Sequence, residues 1–261
     1  MNLFNRELRE SWRGLLGWSL GVAAVGLMYI PLFPSIGGAE LMDSYMTMLP
    51  AEFSELFGLY PMTDGPGYTQ ATYFGLTAYL LLAIAAIGWG TAAVASREED
   101  GSLELTLAHG VTRWQVFAEG ALALLVRLAV LASVGSLLIW ALNGSAQLNL
   151  DLGNLAAATL ALFLVAALAG LSSLAAGAIS GQRSVATAAG AFVAVAAYVL
   201  DAVAGIADVP WLVRISPYNW AFGQDPITTG FNGSGLLLLA AACALVVALG
   251  GWMFNRRDIG T

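Results

Sequence analysis

Ser96 to Gly120 reads SREEDGSLELTLAHGVTRWQVFAEG, and its surroundings decide the fold. Arg97, Glu98, Glu99, Asp100, Glu104, Arg113 and Glu119 crowd into it, together with His109, the sole histidine. The flanking runs, 71–95 before it and 120–142 after it, are almost wholly apolar. About 20 apolar residues in a helix rise roughly 30 Å, the thickness of a bilayer's hydrocarbon core. Charge at this density belongs in water, so the two runs are expected as membrane spans joined by an aqueous connection.

Composition extends that reading to the whole chain. Of 261 residues, 59% are hydrophobic and 10% charged, whereas a soluble domain carries about 25% charge. Lipid is therefore the expected solvent for most of the surface. A net charge of -7 lacks the basic footprint of a nucleic-acid binder. Cys243 is the only cysteine, which excludes disulfides within the chain and argues against a metal cluster. Every basic residue is arginine. A P-loop needs a lysine at the phosphates, so ATP hydrolysis by that route is not expected here. No H-E-x-x-H or G-x-S-G motif occurs, and Asp201 is the only acid inside an expected span, so no catalytic role is expected. Glu7 and Glu10 among the first arginines, with no small-residue cleavage site behind them, do not make a secretory signal.

Working outward, the apolar runs are 14–34, 71–95, 120–142, 155–180, 185–207 and 233–254. The expectation is an all-α polytopic membrane protein: one transmembrane domain, residues 1–261, with six transmembrane helices. Residues 2–13 set Phe4, Leu8 and Trp12 four apart, with Arg6, Glu7, Arg9, Glu10 and Arg13 opposite. That spacing predicts an amphipathic helix lying in the membrane interface. The connections 35–70, 143–154 and 208–232 fall on one side, and 96–119 with the short Gly181–Ser184 turn on the other. Within 35–70 the apolar periodicity predicts surface helices broken near Pro50, then a turn at Asp64-Gly65-Pro66-Gly67. Arg6, Arg9, Arg13, Arg97, Arg113, Arg183, Arg256 and Arg257 share the side of both termini, and Arg214 stands alone opposite. The positive-inside rule then makes the termini cytosolic. All the prolines lie at or beyond the other boundary.

The charged connection has its own local code. Gly101-Ser102 can start a helix after the acids, and Leu103, Leu105 and Leu107 would give it an apolar side with Glu104 exposed. Gly110 would stop it, and Thr112 to Gln115 reads as a capping box opening the helix that becomes the third span. A connection this long, with an apolar stripe, is more than a turn requires; Gly181 to Ser184 suffice between the fourth and fifth runs. It is expected to dock a soluble partner.

Inside the spans, Arg127 sits about 10 Å deep at 1.5 Å per residue. It either snorkels back to the cytosolic face, forms a structural ion pair, or lines a transport path. Asp201 is expected to be solvated or paired. Trp12, Trp114 and Trp252 mark one interface, and Trp140, Trp211 and Trp220 the other. The alanine- and glycine-rich fourth and fifth runs imply tight packing, either within the chain or across a dimer.

Arg97 to Ala108 resembles the RE-x-x-GTLE-LLL segment between the second and third spans of ABC-2-type permeases, the membrane subunits of ATP-binding-cassette exporters. Gly101, Leu103, Glu104 and Leu107 match, and Ser102 stands where threonine is usual. His109-Gly110-Val111-Thr112-Arg113 follows the family's continuation, with Gly110 in place of proline. Residues 2–13 resemble the family's elbow helix, and Ile215-Ser216-Pro217-Tyr218-Asn219-Trp220 is similar to its outer L-S-P-F segment.

The resemblance implies a type V exporter-like permease half, paired with a second half, a homodimer before a heterodimer. An ATPase subunit that holds ATP and Mg would sit beneath each half, and this chain would bind no cofactor. Carried over, the ATPase-coupling positions are Glu98, Glu99, Gly101, Ser102, Leu103, Glu104 and Leu107, with an acidic rim facing basic groups of the partner. Phe4, Leu8 and Trp12 belong to the elbow helix. The implied activity is export of a hydrophobic or amphipathic cargo, such as an antibiotic, drug or lipid, across a prokaryotic plasma membrane. An ATP-independent secondary transporter or channel is the alternative; it is disfavoured because neither inverted repeats nor a charged chain through the midplane is visible.

Overall fold

The computed structural model describes residues 11–36, 64–108, 110–207 and 209–257. Phe4 and Leu8 of the expected elbow helix, and the surface helices expected between 37 and 63, lie outside them. All regular structure among the described residues is helical. In chain order the helices are α1 (Trp12–Tyr29), α2 (Gly65–Thr69), α3 (Thr77–Ala93), α4 (Ala95–Glu99), α5 (Ser102–Ala108) and α6 (Arg113–Asn143). Then follow α7 (Leu152–Ser180), α8 (Arg183–Ala207), α9 (Pro210–Ile215), α10 (Pro217–Phe222), α11 (Pro226–Thr229) and α12 (Gly233–Arg256). A π-helical turn, Gln70–Gly75, joins α2 to α3, and a 3-10 turn, Ile30–Ile36, ends α1 at its prolines.

Six helical stretches are long and apolar enough to cross a membrane: Trp12–Ser35, Gly65–Ala93, Arg113–Asn143, Leu152–Ser180, Arg183–Gly205 and Gly233–Arg256. They begin in the polar flanks of the apolar runs because that is where the caps are. Thr112 and Gln115 form the expected capping box, with the Thr112 N–H donating to Gln115 Oε1 at 2.9 Å. Asp151 caps α7 and Asn232 caps α12, each accepting an N–H at 3.1 Å. At Asp64-Gly65-Pro66-Gly67 the expected turn is instead the first turn of α2. Asp64 Oδ1 accepts the Gly67 N–H at 2.8 Å, and Pro66 sits where a helix needs no donor. Asp followed by Pro suits either a turn or a helix start, and here the downstream chain is helical.

α7 is the hub, in contact with α3, α6, α8 and α12. Small residues make this possible. A Cβ on Gly90 of α3 would fall 2.2 Å from the Gly170 carbonyl oxygen, so the two backbones touch. Gly190 of α8 sits against Ser173, and Gly250 of α12 against Ala175. Between membrane helices there is no water to expel, so close packing holds them together, and small side chains allow it. The tight packing implied by the fourth run is thus met within one chain. Three hydroxyls join α3, α7 and α8 in this apolar setting: Thr91 lies 2.8 Å from Ser173 and 3.2 Å from Thr187. On the outside, Leu20, Phe192 and Leu237 are each at least 70% exposed. Apolar surface of this extent is ordinary toward lipid and costly toward water.

The alternating spans give the bundle two chemically different ends. One carries the start of α1, α4, α5, the start of α6, the α7–α8 turn and the end of α12; it is called the charged end. At the other, the aromatic end, α9–α11 fold onto the spans. Tyr218 packs between Tyr79, Tyr198 and Phe222, with ring centroids 5.3, 5.1 and 5.1 Å away. Its hydroxyl donates to the Gly75 carbonyl at 2.6 Å, and that of Tyr79 donates to Ala194 at 2.8 Å. Asn154 Nδ2 donates to the Thr228 carbonyl at 2.8 Å, holding α11 against α7. Trp140 and Trp211 are exposed at this end, and Trp12, Trp114 and Trp252 at the charged one.

Candidate coupling surface at the charged end

α3 breaks at Val94 (φ -128°), and α4 carries the acids Glu98 and Glu99. Gly101 has φ +70° and donates its N–H to the Glu98 carbonyl at 3.0 Å. Only glycine adopts that backbone cheaply, and it turns the chain out of α4 into α5. Gly110, also left-handed, follows α5, and Thr112 then opens α6. A short helix, a glycine break and a continuous helix into the third span are all present, as the sequence predicts.

The leucines of α5 do not share one side. Leu103 is completely buried and Leu107 packs partly against the core, four residues on along the same face. Leu105 is 67% exposed. At 3.6 residues per turn it lies about 200° round from Leu103. The outward face consists of Ser102, Glu104, Leu105 and Ala108, with Trp114 and Gln115 exposed nearby on α6. Leu103 therefore anchors α5 to its own bundle.

The acids next to α5 are engaged within the chain. Glu98 binds Arg257 in a two-point pair: Nη2 donates to Oε1, and Nη1 donates to Oε2 at 3.1 Å. Arg257 Nη1 also reaches the Ala178 carbonyl at 3.0 Å, and Arg113 Nη1 donates to the Arg257 carbonyl. Glu99 Oε1 accepts the Arg183 backbone N–H at 2.7 Å, and its Oε2 lies 3.0 Å from Arg183 Nε, off line for a hydrogen bond. Arg183 Nη2 donates to the Ser96 carbonyl at 3.0 Å and to Asp100 Oδ1. Glu98 is thus turned inward onto Arg257, while Glu99 and Asp100 stay exposed and pair with Arg183 at the rim, and Glu104 faces outward. Arg183 and Arg257 are the residues that sequence reasoning missed. A signal existed: the span count had already put both on the same side as the acids.

Arg127 is buried. Its Nε donates to the Ala123 carbonyl at 3.0 Å, and its guanidinium lies 5.3 Å from the Trp89 ring centroid. The side chain runs back along α6 toward the charged end, as helical side chains do, over an aromatic face that attracts cations. Asp201 meets the Asn219 side chain beside Tyr198. At the same end as Trp12 and Trp114, Arg256 stacks 4.1 Å from the Trp252 ring centroid. Toward the aromatic end, α6 and α7 leave a groove of about 470 Å³ open to the outside of the bundle, lined by Ser133, Trp140, Thr159 and Phe163 among others. Thr159 turns its hydroxyl onto the Leu155 carbonyl at 2.6 Å, so the groove wall is mostly apolar.

A family model described as ABC-2 family transporter protein matches residues 1–259. A search of curated proteins finds no match. Permeases of that family are membrane transport components, not themselves catalytic, that partner with an ATP-binding subunit. A match over almost the whole chain joins six helices fit to cross a bilayer, so this multi-pass membrane protein belongs to the ABC-2 transporter family.

Proposed function

We propose that this chain is the permease half of an ATP-driven exporter in a prokaryotic plasma membrane, with both termini cytosolic. ATP and Mg are held by a separate nucleotide-binding subunit, which docks under the outward face of α5. The observation that supports this most directly is α5 itself. It is a discrete helix strung between two spans, fastened on one side by Leu103 and Leu107 and presenting Leu105 and Glu104 on the other. Such an element serves a rigid contact and is superfluous as a linker. The arginine distribution supports a cytosolic charged end. The elbow helix around Phe4, Leu8 and Trp12 is proposed as a second contact, and a second copy of the chain as the other half. The cargo is hydrophobic or amphipathic, in keeping with the apolar spans. Arg127, stacked beside Trp89, is assigned a structural role rather than one in the transport path.

The test is purification of the full chain from its native membranes. A P-loop ATPase co-elutes with the wild type. Leu105→Asp loses that ATPase while the permease keeps its stability within about 0.5 kcal/mol, as for surface substitutions generally. Leu103→Asp instead destabilises the permease itself, by about 3 kcal/mol or more for a buried unpaired charge. Nucleotide-independent transport by the isolated chain in liposomes would establish the secondary-transporter alternative instead.

A further inference from the structure

α4 and α5 are tied by the chain only to the second and third spans. At the charged end itself no chain connection joins them to α7, α8 or α12. At the charged end, however, α4 touches both α7 and α8, and its acids also reach past the end of α12. The contacts are directional. Glu98 holds Arg257 at two points, and Arg257 also grips the last turn of α7 through the Ala178 carbonyl. Arg113, at the start of α6, holds the carbonyl of Arg257. Arg183, the first residue of α8, is fastened by its backbone N–H to Glu99 and by its guanidinium to Asp100 and the Ser96 carbonyl.

The α7–α8 turn is shaped around this cluster. Gly181 caps α7 at φ +71°, and a Cβ there would fall 2.4 Å from Arg257 Nη2 and 2.5 Å from Glu98 Oε1. Its missing side chain is the space in which the pair sits. The two pairs are unequal. Arg257 and Glu98 side chains are only 25% and 16% exposed, whereas Arg183 and Glu99 are 42% and 41% exposed. Two-point guanidinium–carboxylate contacts fix geometry as well as add energy, while exposed pairs contribute little and are screened by salt. Glu98–Arg257 is therefore the main tie and Arg183 the lesser one.

We propose that Arg257 and Arg183 are positioning residues of the transport cycle: they clamp α4 to the ends of α7, α8 and α12, so that a push on α5 moves spans two to six as one body. The push rests on the docking proposed above; the clamp does not.

Two measurements on the full chain test this separately. Spin labels at Ala108→Cys on α5 and Met253→Cys on α12, with Cys243 buried and left in place and the labelled chain diluted into unlabelled chain, give one narrow distance in nanodiscs without nucleotide. Arg257→Gln and Gly181→Ala each add a second, longer distance, and the swap Glu98→Arg with Arg257→Glu restores the single one. An unchanged distance in Arg257→Gln, or no restoration by the swap, overturns the clamp. Should Arg257→Gln fail to insert, Arg183→Gln with labels at Ala108→Cys and Ser184→Cys asks the same question at the outer pair. In the complex with the co-purified ATPase and MgATP, Arg257→Gln lowers turnover by about two- to thirtyfold, the range for residues that carry coupling without touching ligand. The affinity between the subunits stays unchanged, and the swap rescues turnover. Normal turnover in a chain whose label distance has split would overturn the positioning role. Loss of subunit affinity by Leu105→Asp is read independently and reports on the docking alone.

Discussion

The two ends of the bundle are fastened by opposite chemistries. At the aromatic end the long-range ties around the packed rings are neutral and two of their donors are phenols: Tyr218 to Gly75 and Tyr79 to Ala194. At the charged end the ties are guanidinium to carboxylate, Arg257 to Glu98 and Arg183 to Glu99 and Asp100. Neutral bonds among packed rings depend on shape and are indifferent to salt. Ion pairs at a water boundary are screened, and can be remade by another charge arriving. One end is held by shape, the other by charge.

Three substitutions would break or sharpen that contrast. The largest effect is expected from Tyr218→Ala, which removes a buried ring that touches three others. A loss of about 3–5 kcal/mol follows from the lost burial and the cavity together, seen as a lower melting temperature in detergent that added salt does not alter. Glu98→Gln should cost about 1–3 kcal/mol, since it leaves the half-buried Arg257 without its counter-charge. Here the gap from wild type should shrink as salt rises. Arg183→Gln should cost less than about 1 kcal/mol, the level of exposed pairs, and its effect should vanish in high salt. A salt-sensitive Tyr218→Ala, or a salt-insensitive Glu98→Gln, would remove the distinction between the ends.

What was legible in the sequence was whatever a single segment encodes. The six spans, the capping box at Thr112 and Gln115, and the helix after Gly101 are local signals, and the structure carries each of them. The separation of Leu105 from Leu103 and Leu107 was also within reach, because two residues along a helix is nearly the opposite side. The partners of Glu98 and Glu99 were not local. Arg257 and Arg183 are far from the acids along the chain, and only the return of the spans to one end brings them together. The small residues of the fourth run announced close packing, but a composition names no neighbour. Nothing in Gln70 to Gly75 signalled a π-helical turn, whose wider ring leaves no fixed sequence mark.

The meeting of Gly90 with Gly170 sets how the second span can travel. Neither residue has a side chain, and the surrounding positions do, so lengthwise slip of one helix past the other brings a Cβ into room that holds none. With Gly170 also against Ala86 and Gly177 against Ala95, the second span keeps its register on the fourth along much of its length, and the two travel together.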